Sequence, residues 1–125
     1  MCGITGFIST GGSISANKYY EAHLKIAHRG PDDEGFFAIN GSDEIHFKGN
    51  DSAPDFSNLK HVNTADNVHL IFGHRRLSII DLSSAGHQPF EFNGYIITYN
   101  GEIYNYIEIR SELEALGVVF KTSTD

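Results

Sequence analysis

Cysteine is almost missing from this chain: one residue, Cys2, in 125. A single thiol cannot close an internal disulfide, so nothing in the sequence calls for an oxidising compartment. Basic residues are also scarce. Nine Lys and Arg against sixteen Asp and Glu leave a formal charge of −7. That argues against a nucleic-acid or anionic-membrane surface, since either needs a basic patch. The N-terminus lacks the basic and apolar regions of a secretory leader, and no apolar run approaches the roughly 20 residues of a membrane span. There is no GxxxxGK[ST] phosphate loop and no GxGxxG. Seven histidines are present, but without HExxH or Cys/His ligand spacing, so no metal site is expected. These absences leave a soluble, cytoplasmic protein of one domain as the expectation. Its 40% hydrophobic and 12% aromatic content is enough to build a core.

What is there begins at position 2. Removal of Met1, which a small following residue permits, makes Cys2 the N-terminus and gives one residue a thiol and a free α-amine. The thiolate is the nucleophile, so a thiol gains from a base beside it. An α-amine can take that part because some of it is neutral near neutral pH. Taken alone, a Met-Cys start is an accident of position. The rest of the chain changes its meaning.

Residues 3–9 read as a short buried strand, with Gly3 and Gly6 leaving room for a ligand or another backbone. Asn17 is placed to cap a helix to about His28, with Tyr20, Leu24 and Ala27 on one face and Gly30 beyond its end. HRGPDDEG (28–35) is a polar loop punctuated by Gly30-Pro31. Residues 35–39 and 44–47 read as strands joined by an Asn40-Gly41 turn. The polar stretch 49–68 reads as a surface loop or insertion. A strand follows at 69–74, a loop at 83–90 and a strand at 95–100. Asn105 with Glu108 has capping-box spacing for a helix that presents Ile109, Leu113 and Leu116 and ends at Gly117. Residues 118–120 (VVF) open a further strand. The fold class is α+β, with antiparallel strands and two helices. The pattern is expected to continue past Thr124-Asp125.

Four segments then line up in order: MCGITGF, HRGPDDEG (28–35), GHRRLSIIDLSSAGHQP (73–89) and YNGEIYN (99–105). Together they resemble the glutaminase domain of the class II glutamine amidotransferases, most closely the asparagine synthetase (glutamine-hydrolysing) type. The resemblance covers nearly the whole chain. It implies an N-terminal-nucleophile hydrolase fold, an αββα sandwich of antiparallel sheets between helical layers, here incomplete at the C-terminal end of 1–125. It also implies a reaction: attack on the side-chain amide of L-glutamine, loss of ammonia, and hydrolysis of a thioester to glutamate.

By the same resemblance Cys2 is the nucleophile and its α-amine the base. Asn100 (side-chain amide) and Gly101 (backbone N–H) match the oxyanion hole, where fixed donors lower the barrier. Taken alone, Asn100-Gly101 is an ordinary hairpin turn. Arg76 matches the residue that pairs with the glutamine carboxylate. Glu102 and Asp125 match its acidic contacts, with Asp125 for the glutamine ammonium. A structural salt bridge is the competing role for Glu102. Leu77, Ser78, Ile79 and Ile80 are expected to line the pocket through backbone groups. Arg75, pointing the other way on an extended chain, reads as a surface charge. His28, Arg29 and Asp32 are expected to shape the site, and His28 or His74 as general base is the alternative, a Cys–His hydrolase of another kind. The glutaminase half needs no cofactor. ATP and Mg belong to a synthetase domain that this sequence does not contain, which would amidate aspartate or another acceptor. A homodimer is left open. The competing class is a non-catalytic fragment or pseudo-domain that acts as a subunit contact.

Overall fold

The computed structural model describes residues 1–125. Its centre is a four-stranded antiparallel sheet built from β1 (Gly3–Ile8), β2 (Asp33–Asn40), β3 (Asp43–Phe47) and β4 (Leu70–Arg76), in the order β1-β4-β2-β3. Two helices, α1 (Ala16–Leu24) and α2 (Tyr106–Ala115), and a small hairpin of β5 (Phe90–Phe92) and β6 (Tyr95–Ile97) complete the elements. The α+β class with antiparallel sheets read from the sequence is the one observed. No helix is long and apolar enough to cross a membrane.

Strand alternation gives the sheet two different faces. Across β4, register lines up Thr5, Gly73 and Phe36 in one row and Phe7, Ile71 and Ala38 in another. That face packs on α1 and on a turn at Val62–Thr64. Tyr19, Tyr20, Phe36, Phe47, Val62, Val68 and Ile71 form most of its core. The other face carries Ile4, Gly35, His74 and Arg76. Residues 87–99 cover part of it, with Glu91 reaching His46 and the Tyr99 carbonyl reaching His74, while Ile4 and Ile8 stay exposed.

Several sequence expectations are corrected. The first helix starts after Ser15 and gives way to a short 3-10 turn at Ala27–Arg29. Its buried side chains are Ala16, Tyr19, Tyr20 and His23, whereas Leu24 is exposed. His23 displaces Leu24 from the core because polar partners meet it there: its Nδ1 lies 2.7 Å from Thr5 Oγ1. The stretch 49–68 is a mostly exposed loop with two short 3-10 turns, as the loop reading expected, but it does not lie wholly at the surface. It buries Val62, Ala65 and Val68 and supplies Asp51 to a charged network described below. Gly3 makes room for Ile26 and Arg29, since a Cβ there would stand 2.8 Å from Ile26 Cδ1; side chains of this chain fill the space read as room for a ligand or another backbone. Strand 95–100 shortens to Tyr95–Ile97, paired with a strand the sequence reading missed. The turn between them is Asn93-Gly94, both at positive φ, the conformation that favours this dipeptide. Asn105 makes no side-chain cap bond to α2. Residues 118–120 form no strand, for want of a neighbour to share the backbone hydrogen bonds. α2 buries no side chain and holds mainly to the segment after it, with Arg110 over the Phe120 ring and bonded to the Thr122 carbonyl.

Candidate active site

Cys2 stands one residue ahead of β1. The β1–β4 register, with Gly3 opposite Arg75, carries on to set Cys2 opposite Arg76 at the end of β4. The thiol sits against the next residue of that strand's exit: the Leu77 N–H donates to Sγ at 3.3 Å, and Sγ lies 3.8 Å from the Leu77 carbonyl. Arg29 Nε donates to the Cys2 carbonyl at 3.4 Å. Asp32 accepts the Ser78 N–H at 2.8 Å. Residues of the HRGPD loop therefore brace both Cys2 and the 77–80 segment, as expected of them.

A cavity of about 300 Å³ opens beside this thiol, lined by Cys2, Arg76, Leu77, Ser78, Ile79, Ile80, Asn100, Gly101, Glu102 and Asp125. Every residue nominated as nucleophile, oxyanion donor or substrate contact is in that lining, although they come from four separated stretches; His28, Arg29, Asp32 and His74 are outside it. The sequence reading did not nominate Asp81, Gly86, Gln88, Tyr99, Tyr104 or Thr124, which also face the cavity. Asp81, Gly86 and Gln88 lie inside the 73–89 motif, so their position in it was the available signal.

Arg76 is 7% exposed. Its guanidinium donates to the carbonyl of Ser83 at 2.6 Å and to that of Asp81. With five N–H donors in all, it keeps others for a ligand. Gly86 is the floor under it: a Cβ there would lie 2.4 Å from Arg76 Nη2. Asp81 secures this loop. Its carboxylate accepts the Ser83 hydroxyl and N–H at one oxygen, and the Ser123 N–H and hydroxyl at the other. Those donors, the Ser83 hydroxyl first, hold its carboxyl well below the usual range. The same bonds tie the Arg76 loop to the segment that carries Asp125. Asp125 Oδ2 accepts the Ile103 N–H at 2.7 Å. The Asn100 amide and the Gly101 N–H have no partner within the chain, and neither residue has positive φ. The Asn100-Gly101 pair is thus no hairpin turn; that conformation is found at Asn93-Gly94.

Arg75 is the clearest correction. It is 1% exposed, on the α1 side of the sheet. Its Nη1 contacts Glu34 Oε2 at 2.8 Å and Asp51 Oδ2 at 2.9 Å, and Nε donates to the Gly30 carbonyl. Burial alone would raise the Glu34 pKa. Donors from His23, the Asp51 N–H, Arg75 and Tyr20 outweigh it and hold the group at about 2. His74, the alternative base, does not line the cavity. Its Nε2 is 3.1 Å from the Tyr99 carbonyl, and burial pushes its pKa down to about 4. No group of three or more His, Cys, Asp or Glu is placed to hold a metal ion.

Comparison with known proteins adds the following. A family model described as "Glutamine amidotransferase domain" matches residues 50–125. A putative asparagine synthetase [glutamine-hydrolyzing] 2 of Methanocaldococcus jannaschii is 35% identical over all of this chain and 22% of its own length. Asparagine synthetase [glutamine-hydrolyzing] 1 of Bacillus subtilis is 43% identical over 80% of this chain and 12% of its own. An amidophosphoribosyltransferase of Methanothermobacter thermautotrophicus is 35% identical over 99% of this chain and 27% of its own. The chain therefore spans about an eighth to a quarter of the length of these relatives. No solved structure matches it significantly.

Proposed function

Since the chain belongs to the class II glutamine amidotransferases, we propose that its cavity hydrolyses L-glutamine with Cys2 as nucleophile. The observation that carries this reading is the convergence of Cys2, Arg76, Asn100, Gly101, Glu102 and Asp125 on one chamber. At about 300 Å³ it lies at the small end of ligand pockets, which suits a single amino acid. Glutamine's α-carbon bears a carboxylate and an ammonium. Arg76, buried at one wall, pairs with the carboxylate; Asp125 and Glu102 supply the opposite charge.

Removal of Met1 bares the Cys2 α-amine and widens the chamber, because Met1 lines it too. The amine takes the thiol proton. Sγ bonds to the side-chain carbonyl carbon, and the electron pair of the C=O moves to oxygen. The unengaged Asn100 amide and Gly101 N–H receive that oxyanion, a kind of interaction whose loss costs about 10²–10³ in rate. Collapse of the adduct breaks the C–N bond, and the proton held by the α-amine leaves with the nitrogen as ammonia. Water then adds to the thioester carbon and releases glutamate and the thiol. The fold in this reading is the N-terminal-nucleophile hydrolase sandwich. The ammonia passes to a synthetase segment that uses ATP and Mg to amidate aspartate, as the asparagine synthetase relatives favour; no step in this chain uses either.

The test is glutamate release by the full-length protein, with the N-terminus read by mass spectrometry. Release is expected only from molecules that begin at Cys2, with none from Cys2→Ala. Turnover that survives Cys2→Ala, or that persists with Met1 retained, refutes the proposal.

A further inference from the structure

Residues 100–102 make no hydrogen bond of their own: no backbone or side-chain group of Asn100, Gly101 or Glu102 has a partner in the chain. Their position comes from what holds the two ends of the segment. At the far end the Ile103 N–H is held by Asp125 Oδ2. At the near end, Tyr99 is gripped on both sides. Its N–H donates to Gln88 Oε1 at 2.6 Å, and its carbonyl lies 3.1 Å from His74 Nε2. A carbonyl only accepts, so Nε2 carries the proton in this contact. His74 is buried and its Nδ1 has no partner, which fits a neutral ring protonated at Nε2 alone. The peptide unit is planar, so fixing the Tyr99 carbonyl also fixes the plane that contains the Asn100 nitrogen. The Tyr99 ring closes the arrangement: a Cβ on Gly101 would stand 2.5 Å from its hydroxyl.

We propose that His74 and Gln88 are positioning residues that clamp the Tyr99 backbone and thereby aim the Asn100 amide and Gly101 N–H at the oxyanion. The inference rests on the glutaminase reading above. It gives His74 a part in the reaction without proton transfer to or from substrate. Oxyanion donors act through where they point, so the clamp should matter for turnover and little for substrate binding or thiol reactivity.

Three variants of the full-length protein test this: His74→Leu, which removes the donor; His74→Gln, which restores an N–H near the Nε2 position; and Gln88→Met, which removes the acceptor. Each is assayed for kcat and KM in glutamine hydrolysis, and for the rate at which iodoacetamide alkylates Cys2. In that alkylation sulfur displaces iodide from carbon and no oxyanion forms. His74→Leu and Gln88→Met are expected to lower kcat about 10–100-fold, less than outright loss of a donor. KM should stay within about threefold and the alkylation rate unchanged, while His74→Gln recovers most of kcat. Unchanged kcat in both removal variants, alkylation falling in step with kcat, or a Gln variant as slow as the Leu variant each overturn the proposal. If His74→Leu loses its cooperative unfolding transition, Gln88→Met decides alone. A wild-type protein that releases no glutamate refutes the glutaminase reading and takes this inference with it; normal wild-type turnover with normal removal variants refutes the clamp only.

Discussion

Arg75→Leu is expected to be one of the most destabilising single changes in the sheet. Arg75 and Glu34 are each 1% exposed. Removing the guanidinium leaves Glu34 Oε2 with only His23 Nε2, at 3.5 Å, and strips the Gly30 carbonyl of its Arg75 donor. Loss of one partner from a buried ion pair costs about 3–5 kcal/mol. The Asp51 contact adds little, because that carboxylate is half exposed. With a urea slope of about 1.5 kcal/mol/M, the midpoint should fall by about 2–3 M at pH 7. The pH dependence gives a second check. Glu34 is depressed from 4.5 to about 2, so its ionised form contributes stability that is present above 4.5 and lost as pH falls through 2. Without Arg75 that depression shrinks, and the gap between wild type and variant should narrow from pH 7 to pH 3. Arg75→Leu combined with Glu34→Leu should recover part of the loss, since no buried charge is then left unpaired. A cost below about 1 kcal/mol at pH 7, the size of an exposed pair, or a gap that does not change with pH, refutes the reasoning.

Gly86→Ala should spare the fold and weaken glutamine binding. The new Cβ meets the far end of a flexible side chain, the Arg76 guanidinium, which must swing away from its two carbonyls. Loss of a charge-assisted contact of about 1.5–3 kcal/mol raises KM roughly 10–100-fold; steady-state kinetics with an unchanged KM would count against Arg76 as the carboxylate partner. Acid should also act through His74. Its pKa falls from 6.5 to about 4 on folding, so the unfolded chain binds more protons between those values. Stability present above pH 6.5 is then lost as pH drops to 4, by about 3 kcal/mol in all. Urea midpoints across that range should fall less steeply in His74→Gln, and parallel slopes in the two proteins would rule His74 out as the source.

The site was more legible than the frame around it. Cys2, Arg76, the 77–80 run, Asn100, Gly101 and Glu102 follow from ordered motifs, and Asp125 from its place after an expected strand that does not form; all reach one cavity. In the glutaminase reading proposed above, motifs carry that information because ligand chemistry would fix their residues. Arg75 was misread because its carboxylate partners lie 41 and 24 positions away, and no local pattern encodes a long-range ion pair. Val62, Ala65 and Val68 sit in a polar stretch with neither helical nor strand period, so their burial showed only once α1 lay beside them. Asn-Gly shows the limit of local signals. The dipeptide makes a hairpin turn at 93–94, where two strands flank it, and none at 100–101, where the Tyr99 contacts and the Ile103–Asp125 bond set the backbone.

Consecutive arginines on β4 show how the core and the site are linked. They share a charge and differ by one step of the pleat, which sends Arg75 to Glu34 beneath α1 and Arg76 to the cavity face. A one-residue slip of β4 would exchange them. Arg76 would then enter the acidic pocket, and Arg75 would leave it for the site. The cost of a slip is not limited to the ion pair. Ile71 would leave the core and Phe72 enter it, while Gly73 would no longer face Thr5, Tyr19 and His23, which leave no room for a Cβ. The buried charge and the missing side chain at Gly73 thus specify the same register from two directions. That register sets Cys2 opposite Arg76 and His74 beside Tyr99. The polar core behind the sheet thus bears on the candidate site in front of it through strand alignment, so a core substitution that preserves stability but loosens register should still disorder the site.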